Sequence, residues 1–381
     1  MNSLERKIIE RIHKEGPITF ESFMDMALYD PEFGYYVSRG LRIGREGDFY
    51  TSSHLHPVFG AMVGKQIREM WEIMGSPEDF TVIEMGAGEG YVCRDMLDYL
   101  ERASRDDDGV SDDFYQTLRY LIVERNELQR LRQQERLIAY TDKVTWASDI
   151  REAGKISGCI FSNELLDAFP VHLVRMEDQL REIYVGHNGT DFAEQTGDLS
   201  SDTIAEYFRV AGIPLEQGYT TELNIRIRDW LFDIDAVLEN GFVFTVDYGH
   251  PEEEYYSEDR NRGTLLCYHN HEFNEDPYKN IGDQDITSHV NFSSVKRWGE
   301  EAGLRALGYC SQGSFLLAMG IDQEIAKLAG TSDDYLFEVS RIKKLFLPQG
   351  MGESHRVLIQ YRGIGLPELR GFSMRNQLRF L

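Results

Sequence analysis

Short apolar runs alternate along this chain with longer stretches of helical rhythm, the pattern of a parallel sheet whose strands are buried on both faces. Phe80-Thr-Val-Ile83, Tyr120-Leu-Ile-Val123 and Cys159-Ile-Phe-Ser162 are such runs, a short strand is expected near Lys143 to Trp146, and Phe242-Val-Phe-Thr-Val246 supplies a fifth. Between the first two, Tyr91 to Glu101 sets Val92, Met96, Leu97 and Leu100 on one helical face. Strands near Arg305 to Cys310 and Arg356 to Gln360 close the pattern. The predicted class is α/β with a mostly parallel sheet.

The first strand runs directly into Glu84-Met85-Gly86-Ala87-Gly88-Glu89-Gly90. Glycine is favoured where φ is positive or where another molecule approaches the backbone, and this density points to close approach. The helix that follows opens with free N–H groups and roughly half a positive charge, so an anionic guest is expected. A dinucleotide fingerprint places its third glycine one residue further on. E-x-G-x-G-x-G is instead the pattern of S-adenosylmethionine (SAM) sites, where the anion is the methionine carboxylate; a glycine-rich turn with no ligand has the same local appearance. The second strand ends at Glu124, whose carboxylate suits two ribose hydroxyl donors, the alternative being a strand-end glutamate that faces water. The acidic stretch Arg102 to Gln116, read as a surface insertion, accounts for its long spacing from the glycines. Asp149, beyond the third strand, suits the adenine amino group and equally a helix N-cap. Glu84, Gly86, Ala87, Gly88, Gly90, Glu124 and Asp149 are thus the expected cofactor residues.

The fourth strand leads into Asn163-Glu164-Leu165-Leu166-Asp167-Ala168-Phe169-Pro170. In doubly wound sheets ligands bind beyond the carboxyl ends of the strands, which sets this loop beside the glycine turn. If it makes a helical turn, Glu164 and Asp167 share a face and Pro170 ends it. Two acids beside a sulfonium suit a cationic nucleophile such as a guanidinium. The alternative is an acid pair that satisfies free N–H groups at a helix start.

At this point the chain resembles a known family. Ile18 to Met24 with Ala27 to Tyr29, Pro31 and Gly34 to Tyr36, Gly47 to Ser52, Ser162 to Pro170, Asp247 to Gly249, Asp285 to Thr287 with His289 and Val290, and Met351 to Glu353 are similar to the MidA family of SAM-dependent methyltransferases. That family includes a protein arginine methyltransferase that acts as a mitochondrial complex I assembly factor. The resemblance covers about residues 17 to 360. It implies a class I SAM-dependent methyltransferase fold, a Rossmann-like, mostly parallel seven-stranded sheet whose reversed pair is formed by the strands near Arg305 to Cys310 and Arg356 to Gln360, with an N-terminal helical section and insertions, and SAM bound at Gly86 to Gly90 and Glu124. It also implies a substrate site lined by Asn163 to Pro170, and it brings Thr51, Ser52 and Asn163 to the cofactor side. The implied reaction is methyl transfer to an arginine of a protein partner; Glu164 and Asp167 are read as holding the guanidinium, and His289 either as orienting the acceptor or taking its proton or as a structural histidine. A small-molecule methyltransferase and a non-catalytic SAM-binding assembly chaperone are the other classes in play. His355 departs from the family pattern, which places a bulky aromatic there, and the departure is expected to touch packing more than chemistry.

A chain of 381 residues exceeds one ordinary domain, and one core with large insertions is the expected arrangement. Residues 1–75 read as a helical and loop-rich section covering the cofactor cleft, with Gly40 to Gly47 as a mobile loop. Residues 76–170 and 241–381 form the core, the latter with a loop insertion at 251–295. Residues 171–240 are a substrate or partner insertion holding a hairpin at His172 to Val185, a turn at Gly186 to Thr190, and helical runs at Ile204 to Val210 and Glu222 to Leu238.

Charge narrows the partners. Lys and Arg number 40 against 65 Asp and Glu, a net −25, which repels nucleic acid and anionic membrane and favours a basic protein segment. No apolar run reaches the ~20 residues of a membrane span. The first ten residues lack signal or transit character, so a cytoplasmic location is expected. Cys93, Cys159, Cys267 and Cys310 lie far apart and read as reduced core residues. Tyr268-His-Asn-His271 with Asp283, Asp285 and His289 is discounted as a metal site, because its spacing is that of ordinary loop residues.

Overall fold

The computed structural model describes residues 1–38, 52–106, 113–270, 272–330, 332 and 334–381. The apolar runs become strands, mostly a residue or two longer than their apolar cores: β1 Phe80–Met85, β2 Leu118–Val123, β3 Val144–Ala147, β4 Ile156–Asn163, β5 Leu238–His250, β6 Arg305–Ser311 and β7 His355–Arg362. Neighbour to neighbour the sheet runs β3-β2-β1-β4-β5-β7-β6. Strands β1 to β5 pair in parallel, and β7 lies antiparallel to both β5 and β6. The expected reversed pair is therefore a single reversed strand, β7, inserted between two that run with the rest. Strand order changes direction between β1 and β4, the position where doubly wound sheets bind ligands.

The chain divides into two compact units. One comprises Tyr50–Leu165, Leu231–Gly249 and Phe292–Leu381 and contains this sheet. Its core joins Phe80 and Val82 of β1, Phe161 of β4 and Phe244 of β5 to helix α1 (Val58–Ile73) and helix α2 (Tyr91–Asp106), through Phe59, Met62, Val63, Val92, Met96 and Leu97. Helix α1 thus belongs to the sheet unit and not to an N-terminal section reaching residue 75. The acidic stretch after α2 begins inside that helix, and residues 107–112 lie outside the described residues.

The other unit gathers Met1–Phe49, Leu166–Trp230 and His250–Asn291, stretches that the sequence pattern had kept apart. Its helix Ser3–Glu15 is capped by Asn2, which accepts from the Glu5 N–H while the Glu5 carboxylate accepts from the Asn2 N–H. Leu4, Ile8 and Ile12 of that helix pack with Phe20, Phe23, Leu173, Ile183, Val185 and Ile286. The expected hairpin is present as His172–Met176 and Leu180–His187, and Phe192–Gly197 extends it beyond the turn. The helix expected from Glu222 starts later, at Arg226, because Thr220–Leu223 is a strand paired with His172–Met176. Two adjacent threonines favour the pleat, and the Glu222 carboxylate is consumed by the N–H groups of Thr264 and Leu265.

Two features of the central strands carry measurable consequences. Gly158 of β4 stands opposite Thr81 of β1 and Gly241 of β5. A Cβ on Gly158 would lie 2.0 Å from the Thr81 carbonyl oxygen, and one on Gly241 would lie 1.9 Å from that of Gly158. On β1, the Glu84 side chain is buried and accepts a 2.7 Å hydrogen bond from the Tyr120 hydroxyl of β2. Burial raises the Glu84 carboxyl from 4.5 to about 7, with the Tyr120 bond offsetting part of the rise.

Gly158→Ala is expected to cost at least about 3 kcal/mol in urea unfolding, since strained backbone and backbone overlap add. Gly154→Ala, at φ +67° with nothing within 4 Å, serves as the comparison and should cost about 1–2 kcal/mol. Because the folded Glu84 carboxyl holds its proton to higher pH than the unfolded one, its contribution is full below pH 4.5 and lost as pH rises through about 7. Wild type should therefore lose about 3 kcal/mol more than Glu84→Gln between pH 4.5 and 8, measured by urea unfolding at both limits.

Candidate functional site

The turn leaving β1 is built by three left-handed residues, Gly86, Gly88 and Gly90, at φ +70°, +52° and +80°. A side chain at Gly86 would collide with Leu165, whose Cδ1 would be 2.7 Å from the added Cβ. The glycine turn and the tip of β4 are thus in contact, as the parallel pairing of Met85 with Ser162 requires. The turn ends in a Gly90 N–H to Ala87 carbonyl bond of 2.8 Å, and α2 begins at Tyr91.

Across from it, Glu124 extends the β2 ladder by donating its N–H to the Ala147 carbonyl at 2.9 Å. Its carboxylate accepts from the Asn126 N–H at 2.8 Å and from the Gln133 side-chain amide at 3.2 Å. Burial raises its pKa, and these hydrogen bonds oppose the rise. The same Gln133 Nε2 donates to the Gly88 carbonyl at 2.7 Å, and Gln129 donates to that oxygen at 2.6 Å. Both glutamines lie on helix α3 (Glu127–Arg136), which connects the glycine turn to the ribose candidate. Trp146 of β3 completes the arrangement by donating from Nε1 to Gln133 Oε1 at 3.0 Å.

At the tip of β4 the backbone does not make the expected helical turn. Glu164 lies at φ +49° and donates its N–H to the Val246 carbonyl, so it continues the ladder and then reverses. A turn forms only afterwards, closed by the Phe169 N–H to Leu166 carbonyl bond. Leu165 donates its N–H to the Asp247 carboxylate at 3.1 Å, and the second Asp247 oxygen accepts from the Tyr248 N–H at 2.9 Å. The Glu164 carboxylate accepts from the Ser52 N–H at 3.0 Å and the Asn163 amide at 3.3 Å. His355 Nε2 lies 3.7 Å from the same oxygen. The residue expected to touch packing more than chemistry therefore faces the central carboxylate of the loop.

The Glu84 side chain points to Tyr120 of β2. The Ser52 hydroxyl turns to Gln312 and Met351, leaving its N–H for Glu164. Asp149 caps the short helical turn Ile150–Ala153, accepting from the Arg151 N–H, which is the N-cap alternative. Ala87 is buried within the turn. Thr51 and the Gly40 to Gly47 loop lie outside the described residues. Asp167 and His289 belong to the second unit, where the Asp167 carbonyl accepts from the Ser288 N–H and His289 packs against His250 at 5.2 Å. Among the described residues no group of three His, Cys, Asp or Glu side chains is placed to hold a metal, and His271 lies outside them.

Sequence reasoning missed Gln129, Gln133 and the role of Asp247. The signal for the glutamines was available in one respect only, a helix, ELQRLRQQER, too polar to bury a leucine face.

The residues present fit SAM: a left-handed glycine turn stands at a helix start, and one strand away stands a partly buried carboxylate whose oxygens can each accept a further bond from a hydroxyl. Comparison with known proteins agrees. The sequence profile of the S-adenosyl-L-methionine-dependent methyltransferases matches residues 62–310. The mitochondrial protein arginine methyltransferase NDUFAF7 homolog of Drosophila melanogaster is 26% identical over 388 residues, covering 95% of this chain and 85% of its own. The mitochondrial protein arginine methyltransferase NDUFAF7 of Homo sapiens is 26% identical over 385 residues, covering 91% and 81%. A crystal structure of a Burkholderia thailandensis protein bound to S-adenosyl-homocysteine superposes with TM-score 0.88 at 31% identity, over 100% of this chain and 96% of that one. This chain belongs to the S-adenosyl-L-methionine-dependent methyltransferase family, with SAM as its cofactor.

Proposed function

We propose that this enzyme methylates a guanidinium nitrogen of an arginine in a basic segment of a protein partner. The observation that carries the reading is the Glu164 carboxylate, held by the Ser52 N–H and the Asn163 amide at the tip of β4, against which the glycine turn packs through Gly86 and Leu165. The names of the Drosophila melanogaster and Homo sapiens relatives support the same acceptor.

Bound SAM supplies a methyl group made electrophilic by its sulfonium. Gly86 to Gly90 and Glu124 would hold it, with Asp149 as the adenine candidate. The protein's task is then to align the acceptor nitrogen and exclude water. A guanidinium stays protonated, with its lone pairs delocalised. A fixed carboxylate that accepts from two of its nitrogens draws positive charge toward them and leaves the third better able to attack. Glu164 is assigned that role, since its two protein donors occupy one oxygen and fix the direction of the other. Asp167, three residues on in the chain, is the second carboxylate of the proposal. The acidic balance, 65 acids against 40 basic residues, draws a basic segment to the protein.

Incubation with radiolabelled SAM and a lysate lacking the endogenous enzyme, followed by mass spectrometric mapping, should place label on an arginine of a protein; label confined to small molecules would overturn the assignment. Glu164→Gln should lower methyl incorporation at least about 100-fold while S-adenosylhomocysteine (SAH) affinity, read by calorimetry, changes less than about threefold. Glu124→Ala should weaken SAH binding at least about tenfold, through loss of charge-assisted bonds to the ribose.

A further inference from the structure

Helix α3 is inside out. It buries Gln129 and Gln133, at 2% and 0% exposure, and leaves Leu128 and Leu131 at 55% and 56%. Burying two primary amides in place of two leucines is unfavourable unless each amide finds partners that water would otherwise serve. The partners of their NH2 groups are on the cofactor side: both glutamines donate to the Gly88 carbonyl, and Gln133 also donates to Glu124.

A trans peptide is planar, with its C=O and the following N–H pointing in opposite directions. Two donors converging on the Gly88 oxygen therefore turn that carbonyl toward α3, and the same constraint turns the Glu89 N–H away from α3, as a fixed donor within the glycine turn, two residues ahead of α2. We infer that Gln129 and Gln133 are positioning residues for the cofactor, with unequal reach. Gln129 acts only on the glycine turn, and so on the amino-acid end of SAM. Gln133 acts on that turn and on Glu124, and so on the ribose as well. Trp146 fixes the Gln133 amide by occupying its oxygen, which keeps the NH2 group aimed at both acceptors. The inference rests on the assignment of Glu124 to the ribose, and it adds that one helix sets both ends of the site at once.

Two ligands separate the ends: SAH carries the amino-acid portion, and 5′-methylthioadenosine has the ribose and adenine without it. Calorimetry on the full chain should show Gln129→Met weakening SAH about tenfold while 5′-methylthioadenosine stays within about twofold. Gln133→Met should weaken both ligands about tenfold or more. Unfolding of the ligand-free variants monitors the fold, and if Gln133→Met does not fold, the Gln129→Met pair of affinities decides alone. Equal losses for both ligands in Gln129→Met, or no loss in either ligand, would overturn the inference, as would unchanged 5′-methylthioadenosine affinity in a folded Gln133→Met. Failure of the ribose assignment has a different signature, because Glu124→Ala would then leave both affinities intact while the Gln129 comparison still reports on the turn.

Discussion

Backbone leaving a buried parallel sheet must satisfy N–H groups that no further strand will pair, and this requirement organises the carboxyl edge of the present structure. Glu164 bonds to the Val246 carbonyl, and the next N–H, of Leu165, bonds to the buried carboxylate of Asp247. To reach both acceptors, Glu164 adopts φ +49°, a conformation unfavourable for a residue with a Cβ. Reversal there sends Leu165 against Gly86 and leaves the Glu164 carboxylate where Ser52 and Asn163 grip it. Backbone strain at this position persists because the surrounding bonds over-determine it, as at many reactive sites.

The same economy operates on the other side of the switch point. Glu124, like Glu164, sits one residue beyond its strand, bonded backbone to backbone, with its side chain held by an N–H and an amide. Carboxylates restrained in this way keep their geometry when a ligand arrives, so little ordering is left to be done on binding. Each acid also lies in a partly desolvated setting where a hydrogen bond to charge counts for more than in water. At Glu164 an imidazole, His355, shares that setting, flanked by the Tyr248 ring at 5.6 Å.

Much of the architecture was legible in one dimension, because a doubly covered strand must be almost wholly apolar. Phe80 to Ile83 and Phe242 to Val246 declare themselves by composition, and the glycines of the turn by the φ values they permit. Boundaries failed where a side chain's partner lies far away in sequence. Glu222 looks like a helix starter until Thr264 and Leu265 take its carboxylate, and α1 looks like part of an N-terminal arm until Phe59 and Met62 are seen to complete the sheet's core. The expected Glu164 to Asp167 helical turn failed for the same reason, since the acceptors that unwind it belong to β5.

Sequence alone determined the seven strands β1 to β7, the glycine turn, the acids at the ends of β2 and β4, and through them the cofactor, because strand burial, glycine backbone freedom and carboxylate chemistry are properties of residue types in local order. Only the tertiary structure decided which acids are held and in what direction. Gln129 and Gln133 are ordinary polar residues by composition, and Asp247 an ordinary acid; their parts appear once Gly88, Glu124 and Leu165 stand within hydrogen-bond reach. Hydrogen bonding needs a donor and acceptor within about 3 Å, and which distant residues meet at that range is set by the fold.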